Sequence, residues 1–305
     1  MSKIAFMFSG QGAQHVGMGK ELYDNYNEVK ALFDDAEKQR PGTLAQCFEG
    51  DEATLKMTEN TQPCLYLADL AAAVALKSEG IEPNACAGFS LGEIPSLALC
   101  GAYSYMQGFE LATKRGSAMA KASKENPASM LAVVKLDNKT VEDICDKYEH
   151  IYPVNYNCSG QLVVSGKPEY FEEFSAEIKN AGGRALPLKV SGGFHSPFMN
   201  SASAEFGEVL ESAEINAPKI TAYSNYTAKP YGDDVKSLLK EQINHPVHWE
   251  MIIKDLLENG YDTFIEVGVG NVLMKLCQKI TAGVDGVKIY KCENKEDIEK
   301  IKSEL

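Results

Sequence analysis

Arginine is nearly missing from this 305-residue sequence: only Arg40, Arg115 and Arg184 occur. Any site that needs a planar, two-pronged cation therefore has three candidates. Positive charge is short throughout, with 30 Lys and Arg against 43 Asp and Glu, a net charge of −13. That excludes non-specific binding to nucleic acid, which needs a positive surface. No apolar run has the length needed to cross a bilayer, so no membrane partner is expected. The eight cysteines include no C-x-x-C pair, and the five histidines form no H-E-x-x-H or other metal-ligand pattern. His245 and His248 are three apart, but Pro246 between them disfavours a shared helical face. No metal is expected. Internal repeats and low-complexity segments are also lacking.

What is present is ordinary globular composition, 44% hydrophobic and 24% charged. The length suits one large domain, or a large domain carrying a smaller one. The scattered cysteines sit mostly in apolar context and read as buried, reduced thiols, which points to the cytoplasm. The N-terminal MSKIAFMFSG has an apolar run of five residues, too short for a signal-peptide core, and reads as a first strand.

Along the chain, KIAFMFSG (3–10) is a buried strand ending in a Gly-rich loop. Helical character fills 19–80, clearest in LYLADLAAAVALKSEG (65–80), with Gly80 as a stop. NACAGFS (84–90) is a short strand entering a turn, and LGEIPSLALCGA a helix starting directly after Ser90. From about 126 the texture changes. Strand 128–136, helix 140–148, strands 151–157 and 161–166, helix 168–182 and strand 184–190 follow in β-α-β-β-α-β order, the ferredoxin-like unit. Then come a histidine turn (191–199), helix 200–212, strand 220–225, helices over 235–260, a strand–Gly turn–helix at 262–280 and a final strand at 287–292. Alternating strands and helices imply a parallel sheet covered on both faces.

G-x-S-x-G at 88–92, between a strand and a helix, is the context of a nucleophile elbow. A serine hydroxyl needs a base and donors aimed at the developing oxyanion. His195 follows a Gly-Gly turn at the domain junction and is the best base. No Asp or Glu marks itself as the third member, so a backbone carbonyl or an amide side chain would orient His195 instead. Leu91 N–H, directly after the nucleophile, and an N–H of the Gly10-Gln11-Gly12 loop suit the oxyanion. Arg115 is either a solvated surface arginine or a fork for a substrate carboxylate.

Seven segments, FSGQGAQ (8–14), GFSLGE (88–93), KRGSAM (114–119), VNYNCSGQLVVSG (154–166), GGFHSPFM (192–199), QINHPVHW (242–249) and EVGVGNVL (266–273), resemble in order and spacing those of the malonyl-CoA:acyl-carrier-protein transacylases of type II fatty-acid synthesis. The resemblance covers essentially the whole chain. It implies an α/β-hydrolase-like catalytic part, 1–125 and 195–305, with a ferredoxin-like insertion at 126–194. It further implies that Ser90 takes the malonyl group from malonyl-CoA and that His195 is base and then acid. Arg115 would pair with the malonyl carboxylate, Gln11 and Leu91 would supply the oxyanion hole, and the Gln242 backbone carbonyl would orient the histidine. The resemblance implies no bound cofactor. The implied partner is an acyl carrier protein with its phosphopantetheine thiol, and a monomer is expected. Phe194 before His195 resembles the version associated with malonyl rather than methylmalonyl groups.

Three positions depart from the family pattern. Phe89 stands where G-H-S-L-G-E has its histidine, and a phenyl ring makes none of the imidazole's hydrogen bonds. Slower or differently pH-dependent turnover is expected from it. Pro95 has no N–H for the Leu91 carbonyl, so the elbow helix should kink or start later. Val269 replaces a proline in EVGPG. Other readings share the elbow: a serine thioesterase or hydrolase, a catalytically degenerate carrier-binding subunit, and a trans-acting polyketide acyltransferase. Because an acidic carrier would be repelled by a chain at −13, a local lysine patch is expected at the cleft mouth, from Lys114, Lys189, Lys275 and Lys279.

Overall fold

The computed structural model describes residues 2–305. In chain order its strands are β1 (Ile4–Phe8), β2 (Ala85–Gly88), β3 (Ser129–Val134), β4 (Ile151–Cys158), β5 (Gln161–Gly166), β6 (Arg184–Pro187), β7 (Thr221–Tyr223), β8 (Thr263–Val267) and β9 (Lys288–Cys292). Side chains alternate along β1, so Phe6 and Phe8 enter one core layer while Ala5 and Met7 enter the other. A strand buried on both faces belongs at the centre of a parallel sheet. The order is β7-β2-β1-β8-β9, and every pairing is parallel. The long helix Thr58–Ser78 covers one face; helices Trp249–Glu258 and Val272–Ile280 cover the other.

The second sheet has the order β4-β5-β3-β6 and is antiparallel. With helices Asn138–Cys145 and Phe171–Asn180 it is the β-α-β-β-α-β unit read from the sequence. Leu131, Val133, Phe174 and Ile178 give it a core of its own.

Several boundaries move. The 65–80 helix begins at Thr58, because Thr58, Thr61 and Gln62 of the polar TENTQ stretch are buried, and ends at Ser78. β6 stops at Pro187, short of the expected 190, since pairing with β3 ends there. The elbow helix does not begin directly after Ser90. A 3-10 turn, Ser90–Gly92, comes first, and the α-helix is Glu93–Leu99. Pro95 is then the third residue of the helix, where no intrahelical N–H is required, so it starts the helix rather than kinking it. A final helix, Lys295–Glu304, capped by the Asn294 side chain, follows β9; no such element is evident in the charged tail.

Candidate active site

Parallel strands present their C-terminal ends along one edge, where ligands of open α/β sheets bind. Three loops meet there: Ser9–Gly12 after β1, the elbow after β2, and the turn after β8. Gly88 and Gly92 are the elbow's fixed points. A Cβ on Gly88 would lie 1.9 Å from the Gly92 carbonyl carbon, and one on Gly92 would lie 2.3 Å from the Phe8 carbonyl oxygen. Only hydrogen fits at either place. Between them Ser90 is held in the left-handed region, φ 55°, a conformation that costs a serine on the order of 1–3 kcal/mol and recurs where strain serves function.

Ser90 Oγ lies 2.7 Å from His195 Nε2. His195 Nδ1 lies 2.9 Å from the Gln242 carbonyl oxygen. A carbonyl only accepts, so Nδ1 carries the proton and Nε2 is left as the acceptor for the serine hydroxyl. The carbonyl stands where a Ser-His-Asp triad has its carboxylate. Burial, and then the positive charge of Arg115, push the imidazole down to about 4. It is neutral at neutral pH, with Nε2 open to a proton.

Arg115 belongs to helix Tyr105–Glu125, whose Ser104 cap accepts from Gln107 N–H. Ala112, Arg115, Met119 and Ala122 all fall on its buried stripe. Arg115 is 1% exposed, so it is not a solvated surface arginine. Nη1 donates to Gln62 Oε1 at 2.9 Å, and Nη2 donates to Gln242 Oε1 at 2.8 Å and to Ser90 Oγ at 3.3 Å. Its buried Nε has no partner. Burial lowers its pKa to about 10, which leaves it charged.

Gln242 therefore serves twice, through its carbonyl to His195 and its side chain to Arg115. Its Nε2 donates to the Ser90 carbonyl at 2.6 Å and to Glu93 Oε2 at 2.9 Å. Glu93 is wholly buried, accepts from the Tyr231 hydroxyl, and is raised by burial to about 7.

Gln11 and Leu91 also lie at the site. A cavity of about 90 Å³ is lined by Gln11, Phe89, Ser90, Met119, Phe194 and His195, among others. It shares Gln11, Phe89, Asn155 and Leu188 with a neighbour of about 260 Å³, which Asn157, Val272 and Leu276 also line. Leu91 is the next residue of the 3-10 turn after Ser90. The Ser90 N–H is already used, donating to Asn225 Oδ1 at 2.7 Å. Phe89 packs edge-on against Trp249, with ring centroids 5.6 Å apart. Among the described residues, no group of three or more His, Cys, Asp or Glu could hold a metal ion.

All six residues singled out in the sequence thus come together. Gln62, Glu93, Tyr231 and Asn225 escape such a reading. Gln62 closes the polar TENTQ stretch, where nothing local sets it apart, and Glu93 ends GFSLGE, where nothing local gives it a role.

Residues 5–293 match the family described as the acyl transferase domain. A malonyl CoA-acyl carrier protein transacylase of Bacillus subtilis is 38% identical over 288 residues, 92% of this chain and 91% of the relative. One from Staphylococcus aureus is 35% identical over 306 residues, 98% of each chain. The crystal structure of the Clostridium perfringens malonyl CoA-acyl carrier protein transacylase superposes with a TM-score of 0.95 at 34% identity, covering 100% of this chain and 97% of that one. A malonyl-transacylase solved in complex with a type II PKS acyl-carrier protein gives 0.92 at 30% identity, covering 98% of each. An elbow serine bonded to a histidine, and relatives of this identity along nearly the full length, lead to one conclusion: the chain belongs to the acyl transferase family.

Proposed function

We propose that Ser90, His195 and Arg115 carry out malonyl transfer from malonyl-CoA to an acyl carrier protein, as in fatty-acid synthesis. Ser90 Oγ attacks the thioester carbonyl while His195 Nε2 takes its proton. The new C–O bond forms, the C–S bond breaks, and His195 returns the proton to the departing CoA sulfur. The phosphopantetheine thiol of the carrier then gives its proton to His195 and attacks the malonyl-serine ester. Ser90 recovers its proton as it leaves, which makes the cycle ping-pong.

The observation that carries this reading is the buried, incompletely partnered Arg115 beside the nucleophile. A free carboxylate at the far end of the acyl group satisfies its Nε; an acetyl group cannot. Pairing also offsets the charge that depresses His195, so a malonyl group makes its own base stronger. The backbone N–H groups of Gln11 and Leu91 form the oxyanion hole, a role from which Ser90 N–H is excluded by its bond to Asn225. The larger cavity takes the pantetheine arm common to both substrates. The buried Asn155 and Asn157 Oδ1 atoms on its wall have no partner and suit the arm's amide N–H groups.

Residues 126–194 act as the inserted ferredoxin-like unit, and the split catalytic part is 1–125 with 195–305. Eight buried, unpaired thiols suit a reducing compartment, and the cytoplasm is the setting that fits them. No helix among the described residues is long and apolar enough to cross a membrane.

Initial rates measured over a grid of malonyl-CoA and holo carrier protein test the scheme. Parallel double-reciprocal lines, with one CoA released per malonyl transferred, are expected. Intersecting lines, or CoA release without holo carrier dependence, would favour direct transfer or a hydrolase.

A further inference from the structure

Asn225 follows β7, whose Tyr223 pairs with Ala87 of β2. The parallel pairing carries the chain after β7 alongside the elbow. Asn225 is completely buried there. Its Nδ2 donates to the Gly88 carbonyl oxygen at 2.6 Å, and its Oδ1 accepts from Ser90 N–H at 2.7 Å. The amide bridges the two residues flanking Phe89, doing for the sharp turn what a neighbouring strand's peptide group does for a straight one. Turning the amide over would set two acceptors together on one side and two donors on the other. Its orientation is fixed from its own backbone as well: Asn225 N–H donates to both Glu93 carboxylate oxygens, at 3.2 and 3.3 Å, and its carbonyl accepts from His248 N–H at 3.0 Å.

A serine at φ 55° stays there only while its surroundings hold it. Glycines 88 and 92 permit the turn, but neither grips it. The side chain bonded to the nucleophile's own N–H is Asn225.

We propose that Asn225 is a positioning residue whose side-chain amide locks the Ser90 backbone in the left-handed conformation that aims Oγ at His195. It also withdraws Ser90 N–H from the donors open to an oxyanion. The proposal rests on Ser90 being the nucleophile. Removing the bridge lets the elbow relax toward ordinary backbone angles and swings Oγ away from Nε2. The parts that recognise the acyl carboxylate, Arg115 and Gln62, do not touch the Asn225 side chain and stay in place.

The test compares wild type, Asn225→Ala and Asn225→Asp in the full chain. The aspartate keeps the shape and the acceptor for Ser90 N–H, but turns a carboxylate oxygen toward the Gly88 carbonyl. Labelling by a fluorophosphonate, an uncharged serine-directed reagent, reads the nucleophile without the acyl pocket. Malonyl transfer gives kcat and KM, and thermal unfolding confirms that each variant is folded. A displacement of about 1 Å at a reacting atom costs about 100-fold, so labelling and kcat should fall together by about that factor, with KM for malonyl-CoA within about threefold. The acid limb of the pH profile, set by His195, should not move. If Asn225→Ala does not fold, Asn225→Ser, whose shorter side chain puts one hydroxyl in place of the two polar atoms of the amide, takes its place.

A folded variant whose labelling and kcat stay within about threefold of wild type would overturn the proposal. So would a rise in KM and a shifted acid limb alongside the fall in kcat, since that is general loosening. Wild-type protein that takes no label at Ser90 would instead refute the nucleophile reading, before any variant is compared.

Discussion

Replacing Arg115 by glutamine tests acyl selectivity and the tuning of the base together. The guanidinium is buried, is anchored by Gln62 and Gln242, and keeps Nε without a partner. A malonyl carboxylate would gain the charge-assisted hydrogen bond that Nε leaves open, worth about 1.5–3 kcal/mol. Its loss corresponds to about 10–10² in kcat/KM for malonyl-CoA. Acetyl-CoA, which cannot make that bond, should lose far less. The assay is the ratio of kcat/KM for the two thioesters, wild type beside Arg115→Gln. The same variant shifts the pH profile. His195 must be neutral to accept the serine proton, so activity falls as pH drops through its pKa, about 4 in the free enzyme. Burial is the larger cause and the Arg115 charge the second, so removing that charge should move the acid limb up, part of the way toward the usual histidine value. Equal losses for the two thioesters, or an acid limb that stays put, would refute the reasoning.

Gly88→Ala should not accommodate the elbow, because the new Cβ meets Gly92 backbone at 1.9 Å. Its cost should exceed the about 1–3 kcal/mol usual for overpacking, read as a lowered Tm and lost serine labelling; a stable, fully labelled variant would contradict the geometry. Phe89→His should change the turnover rate or its pH dependence by adding a titratable group to the wall shared by both cavities, and identical rates across pH would dismiss the idea. Lys189 is exposed between the cavity-lining Leu188 and Val190, and Lys275 on the helix that carries Val272 and Leu276. Lys189→Glu combined with Lys275→Glu should raise KM for the carrier protein and spare malonyl-CoA kinetics. Equal effects on both substrates would mean the docking charge lies elsewhere.

Much of this molecule was legible in its sequence, for identifiable reasons. Strand and elbow are local patterns: β1 and β2 are short apolar runs ending in glycine, and the strand–turn–helix context of Ser90 occupies fewer than a dozen residues. The position of Arg115 was half legible. Its spacing from Ala112, Met119 and Ala122 marks a buried helical stripe, yet an arginine there reads equally as a surface residue until the packing is seen. Gln62, Glu93 and Asn225 were not legible, because each acts through partners more than 50 residues away. Pro95 left a kink or a later helix start open; the structure has the later start, set by an intervening 3-10 turn that has no sequence signature of its own.

The central claim is that Ser90 carries the malonyl group between the two thiols. Intact-protein mass spectrometry after brief exposure to malonyl-CoA, with Ser90→Ala alongside, tests it most directly. The account predicts a single malonyl adduct on the wild type, none on Ser90→Ala, and its discharge by holo but not apo carrier protein. An unmodified wild type that neither releases CoA nor hydrolyses it, or an adduct that persists in Ser90→Ala, would contradict it.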